Sequence, residues 1–262
     1  MTDTDRVESS RQQHMIRIIA EDSYHREDNQ NRAILDKVTA GLISERLVKI
    51  VVGQEATPYY VQESVLRDAA AYFAKAIQWD HLSHETLGIL KFPEDDEDAW
   101  KVLLQWFVKK ELPVLKMNQA TQMLWVRSWI IGDKYGIEAF QDLVMLELLN
   151  ELAYQKTSLE VVRTVFEGTM EESPMRKLMA EETVNLIKTT EDWCHKRLEL
   201  MDGVSGFTSA LLEAMDNHDT LLDGSEDTTS LRKRMTDGES TNMDWLGYML
   251  GNGPDRHRIY ID

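Results

Sequence analysis

The sequence predicts an α+β protein in which a small sheet with a hairpin packs against a cluster of helices, followed by extra helices and a flexible acidic tail. Three observations predict it. In "LVKIVVGQEATPYYVQESVLRDAAAYFAKAI", residues 47–77, the apolar rhythm is that of extended chain up to Val61 and of a helix from Glu63 onward. Stretches with apolar residues three and four apart then recur as far as Lys188. From Asp202 the texture loosens, with twelve acidic and five basic side chains in residues 202–262 and many Gly, Ser, Thr and Asn.

Residues 1–32 are polar and charged with one short apolar run at Met15 to Ala20, and are expected to form a flexible arm, with order beginning near Ala33. Val48 to Gly53 and Thr57 to Gln62 carry the branched and aromatic residues of two antiparallel strands, and the Gly-containing link between them suits a hairpin turn. Val65, Leu66, Ala69, Tyr72, Phe73 and Ile77 then make one apolar helix face. A short strand is expected at Ile89 to Phe92, stopped by Pro93. The run Glu94, Asp95, Asp96, Glu97, Asp98 reads as the first turn of the next helix, where carboxylates meet unpaired N–H groups, and Lys109 and Lys110 suit its other end.

Gln119 to Tyr135 and Glu138 to Leu152 read as a helical hairpin with Gly136 at the cap between them. Leu159 to Phe166 and Pro174 to Lys188 read as further helices, the second with Ser173 as N-cap and Pro174 at its first position. Inside the loose tail one island stands out, "MDWLGYML" at 243–250, which is expected either to dock back on the folded domain or to anchor in a partner's groove.

With 262 residues, 42% of them hydrophobic, the chain can bury a real core. A formal charge of −17 argues against direct binding of nucleic acid, which depends on clustered Lys and Arg. The single cysteine, Cys194, leaves no intramolecular disulfide and suits a reducing compartment, so the cytoplasm or nucleus is expected. The first 32 residues hold no apolar stretch of signal-peptide length, and no run approaches the roughly 18 apolar residues of a membrane span, so a soluble protein without membrane attachment is expected.

Catalytic and cofactor patterns are missing. There is no dinucleotide fingerprint and no phosphate-binding loop; the nearest string, "GNGP" at 251–254, lies in the tail. His81, His84 and Glu85 read as a polar loop, because no cysteine or third histidine stands at a matching metal-ligand spacing. Cys194 and His195 are sequence neighbours, which point about 100° apart on a helix, so the imidazole is poorly placed as a base for the thiol. Asp95, Asp96 and Asp98 lack the central glycine and distal glutamate of a calcium loop. "LRKR" at 231–234 reads as a solvated cluster. No catalytic, cofactor-binding or metal residue is assigned, and no enzymatic activity is expected.

Three blocks in order carry a resemblance to a known family. They are Tyr59, Val61, Val65, Leu66, Tyr72 and Phe73 in "YYVQESVLRDAAAYF"; Leu90, Phe92, Pro93, Glu94, Asp95, Asp96, Trp100, Leu104, Trp106 and Leu112 in "ILKFPEDDEDAWKVLLQWFVKKELP"; and "DKYGIEAFQDLVM" from Asp133 to Met145. Together they resemble the BTB/POZ domain, particularly its fungal form, over residues 40–152. "VFEGTMEESPMRKLM", Val165 to Met179, is similar to the helical stretch that follows that domain, and the echo extends to about residue 188. The chain departs from the family at Leu47, where an Asp is usual, and at Gln62, where a His is usual.

The resemblance implies a BTB/POZ-like domain at 33–152, a helical extension at 153–201 and the acidic tail at 202–262. It implies a protein-binding platform that pairs with itself as a homodimer, through residues 33–78, and holds other proteins. The alternative it carries is a substrate adaptor of a cullin-based ubiquitin ligase, for which the nearest cullin-contact window is "DHLSHET" at 80–86. Val48, Tyr59, Tyr60, Leu66, Tyr72 and Leu82, with Trp245 and Tyr248 of the tail island, are the expected protein-interaction residues. Whether "HMIRIIAE" at 14–21 joins a dimer as an exchanged strand or stays free is left open.

Overall fold

Alternation of inward and outward side chains in "LVKIVV" builds the centre of the sheet. β1 (Leu47–Val52) buries Val48, Ile50 and Val52 on one face. β2 (Tyr59–Gln62) pairs with it antiparallel, Val48 opposite Val61 and Ile50 opposite Tyr59. β3 (Ile89–Phe92) lies along the other side of β1, parallel to it, with Ile50 opposite Leu90 and Val52 opposite Phe92. The order is β2-β1-β3. The computed structural model describes residues 46–54, 57–82, 88–189, 195–222 and 247–251, with backbone alone for 79–82, 189, 195–197 and 218–222. The arm at 1–32, the start of order near Ala33, Cys194, "LRKR" and Trp245 lie outside the described residues.

A parallel pair needs a long crossover, and helices between β2 and β3 supply it. The sequence pattern predicts one helix face there; the structure has two helices, α1 (Glu63–Ala69) and α2 (Ala71–Leu82), parted by Ala70 in extended conformation. No glycine or proline marks this break. Leu66, Ala70, Phe73 and Ile77 are all buried on either side of it.

α3 (Glu97–Lys109) begins later than the acidic run suggests. Asp96 is its N-cap, accepting the Ala99 N–H at 2.9 Å. Glu94 and Asp95 therefore lie in the turn before the helix. At the far end Lys110 takes a left-handed conformation and its N–H closes on the Trp106 carbonyl at 2.8 Å. Ala99, Trp100, Val102, Leu103, Trp106 and Phe107 form the buried face.

α4 (Gln119–Tyr135) and α5 (Glu138–Tyr154) form the expected hairpin. Gly136 turns it at φ 67°, a conformation that suits a residue without Cβ, and the Ile137 N–H reaches back to the Gly132 carbonyl at 2.9 Å. α6 (Leu159–Gly168) is capped by Ser158, and α7 (Pro174–Thr189) by Ser173, whose hydroxyl accepts the Met175 N–H at 3.2 Å.

A 3₁₀ helix (His195–Met201) leads to α8 (Phe207–Leu222). The sequence reading puts residues 202–222 in a flexible tail, and here the structure corrects it. Phe207, Leu211 and Ala214 are buried, and the Phe207 ring meets Phe166 edge-on at 5.3 Å. Apolar residues too sparse to signal a helix in a polar stretch become one when α7 offers a surface to cover. Arg176 ties this end together: its guanidinium is buried, stacks on Phe166 and donates to the carbonyls of Phe166, Thr169 and Ser205.

The buried apolar residues form one continuous core from Val48 to Tyr248, so the helices after residue 153 share the interior of the sheet and hairpin. The chain is thus α+β, a three-stranded sheet with eight α-helices among the described residues. No described helix is long and apolar enough to cross a membrane.

Candidate interaction surface

The sheet's second face follows from the same alternation. With Val48, Ile50, Val52, Val61 and Phe92 turned inward, the register turns Leu47, Lys49, Val51, Tyr60, Gln62, Ile89 and Lys91 outward. Leu47 is opposite Gln62 and Tyr60 opposite Lys49, so Leu47 and Tyr60 are diagonal neighbours on one face. They remain 55% and 62% exposed. Among the described residues β2 is an edge strand, so Tyr60 stands on the edge strand and Leu47 one strand in from it. Lys49 and Lys91 add positive charge to the face of an otherwise strongly acidic chain.

The predicted interaction residues divide between this surface and the interior. Tyr60 is on the outward face. Tyr59 is partly buried against the core. Val48 and Leu66 are fully buried, which corrects their reading as contact residues: the inward side of β1 and the inner face of α1 claim them, and no surface is left for a partner. Tyr72, on α2, is exposed at one edge while its ring packs on Tyr135 at 4.8 Å and on Phe73 at 5.4 Å. Leu82 ends α2, and its side chain lies outside the described residues, as do the side chains of the 80–86 window. Leu47, which sequence reading marks only as a departure from a family pattern, joins Tyr60.

Tyr72 borders a buried polar junction. The Asp95 side chain, turned inward ahead of α3, accepts from Trp100 Nε1 at 2.7 Å, Lys134 Nζ at 2.6 Å and the Tyr135 hydroxyl. Burial, reinforced by the hydrogen bond to Asp95, holds the Tyr135 phenol well above its ordinary range, so it stays a donor. Phe92 stacks on Trp100 at 4.7 Å beside it. The acidic turn and the "DKY" segment, some forty residues apart, are thereby one structure. Nothing local in the sequence marks that pairing.

Tyr248 lies elsewhere, on α5 and α7. It is buried, its hydroxyl donates to Glu181 Oε2, and Lys177 Nζ stands 5.4 Å from its ring centroid. Two residues on, the backbone turns its N–H groups to one carboxylate: Leu250 N to Asp142 Oδ1 at 2.7 Å and Gly251 N to Asp142 Oδ2 at 3.1 Å. Of the two fates expected for the tail island, docking back is the one observed for residues 247–251. Asp142, Lys177 and Glu181 escape sequence reading because each is an ordinary helix-surface residue until the tail arrives.

Among the described residues no group of three or more His, Cys, Asp or Glu side chains converges as a metal site. No family model matches the chain, and no curated protein matches it at a significant level.

Proposed function

We propose that the chain is a protein-interaction module of the BTB/POZ kind, without enzymatic activity, that pairs with a second copy of itself and holds other proteins in the cytoplasm, the nucleus or both. The observation that carries this reading is the outward sheet face, where Leu47 of β1 and Tyr60 of β2, the edge strand among the described residues, are exposed as diagonal neighbours. Apolar and aromatic side chains on an edge strand suit strand-edge pairing, in which backbone bonds give affinity and side chains give register. The element order of hairpin, crossover helices, third strand, capped helix and helical hairpin supports the same reading, since it follows the order of the three sequence blocks.

Light scattering across a chromatography peak of the full chain at micromolar concentration tests it. A mass of twice 30.3 kDa is expected. Tyr60→Glu combined with Leu47→Glu is expected to return the mass to that of one chain, because it adds like charge to a face that meets itself in a chain already at −17, while the far-UV circular dichroism stays that of the parent. A single-chain mass for the parent at every concentration overturns self-pairing.

A further inference from the structure

The docking of residues 247–251 has the form of a ligand in a site. Asp142 is only 5% exposed with the segment seated, and both of its carboxylate oxygens are occupied by the segment's Leu250 and Gly251 N–H groups. Beside it, Glu181 takes the Tyr248 hydroxyl and Lys177 covers the ring. Three side chains from two helices, α5 and α7, thus converge on one tyrosine and two successive backbone N–H groups. A carboxylate accepting paired backbone N–H groups is a standard way of gripping a peptide main chain, with a side-chain pocket alongside for identity.

The occupant is loosely invested in the fold. Leu250 is 41% exposed and Gly247 and Gly251 are exposed, so that Tyr248 and Met249 alone join the core. In sequence, residues 223–246 separate it from the end of α8. As part of the same chain it binds intramolecularly, so a small contact suffices to hold the groove.

We propose that Asp142, Lys177 and Glu181 form a docking groove for a short peptide of a partner protein, one bearing a tyrosine followed two and three residues later by free backbone N–H groups, and that residues 247–251 are a reversible strap occupying this groove in cis. The strap competes with the partner peptide. It lies on α5 and α7, a surface separate from the outward face of the sheet, so both can be engaged in one assembly.

The experiment uses the full chain and a fluorescein-labelled peptide of residues 243–252 as probe. Tyr248→Ala with Leu250→Pro opens the strap, removing the ring and one N–H donor from the tail while leaving the helices untouched. Fluorescence anisotropy is expected to show saturable binding to this opened chain at least ten-fold tighter than to the parent. Adding Asp142→Asn or, as a milder second variant, Glu181→Gln is expected to weaken that binding at least ten-fold. Equal binding by the opened chain and the parent, or no loss with either groove variant, overturns the proposal. A collapse of the melting transition in the opened chain overturns it too, since the segment would then be a fixed part of the core. Amide exchange on the intact parent gives an independent reading: Leu250 and Gly251 are expected to be protected, yet to open faster than the α5 amides. Protection equal to α5, or none, overturns it.

Discussion

Asp95 illustrates how a single side chain decides more than its sequence context suggests. As one of five acidic residues in a row it reads as solvated helix-start charge, yet it is the buried acceptor of Trp100, Lys134 and Tyr135. Tyr135→Phe removes one donor and leaves a buried carboxylate under-satisfied, at a cost of roughly 1.5–3 kcal/mol. Urea unfolding of the variant checks this, and an unchanged midpoint refutes it. Glu151 of α5 is a second case. It is buried and accepts the Asn118 N–H at 2.6 Å, pinning the start of α4. Desolvation raises its pKa above the ordinary 4.5, against the lowering effect of the Asn118 and Trp125 hydrogen bonds. A carboxyl group whose pKa is raised by folding contributes stability that is fully present below its unfolded value and is lost as pH rises through its folded value. The stability of the parent relative to Glu151→Gln should therefore grow as pH falls from 7 toward 4.5 and stay level below it. Melting temperatures of both proteins across that range measure the difference, and a flat difference contradicts the assignment.

At the scale of elements, α3 joins the crossover helix α2 to the hairpin. Trp106 meets Phe140 of α5 with ring centroids 5.5 Å apart, and Phe107 meets Phe73 of α2 at 5.9 Å. Both are buried. Trp106→Ala empties a buried site against Phe140, and a loss of about 3–5 kcal/mol is expected. That is a large fraction of the stability of a typical domain. Thermal unfolding with no fall in melting temperature would show that α3 does not bridge the two. The break between α1 and α2 belongs to this scale as well. Propensity favours a continuous helix through "LRDAAAYF", yet Ala70 is extended, and since Leu66, Ala70 and Phe73 would share one face of an unbroken helix, their burial does not account for the break.

For the whole molecule the governing quantity is charge. Two copies of a chain carrying −17 repel each other at long range, and added salt screens that repulsion over roughly 8–10 Å at 0.1–0.15 M. The outward sheet face, with Lys49, Lys91, Leu47 and Tyr60, is where that repulsion is locally relieved. Self-association through it should therefore strengthen between 20 mM and 300 mM sodium chloride, read as a rise in weight-average mass at fixed micromolar protein. An interface held chiefly by opposite charges would weaken over the same range. A fall in mass with salt would move the proposed interface away from this face.

What the sequence determined by itself is what local rules govern. Gly136 is at the hairpin turn because a left-handed residue is needed there; Ser173 and Pro174 open α7 because an unpaired N–H needs an acceptor and a fixed φ suits a first turn. The hairpin strands, the third strand and the spans of α4 to α7 follow from apolar spacing in the same way. The tertiary structure alone decided the partners. Whether Val48 and Leu66 face a core or a second protein, whether Asp95 is solvated or buried, whether residues 207–222 form a packed helix, and whether Tyr248 finds Glu181 all depend on groups distant in the chain. Periodicity states which side chains share a face; only the packing of distant elements states what that face meets.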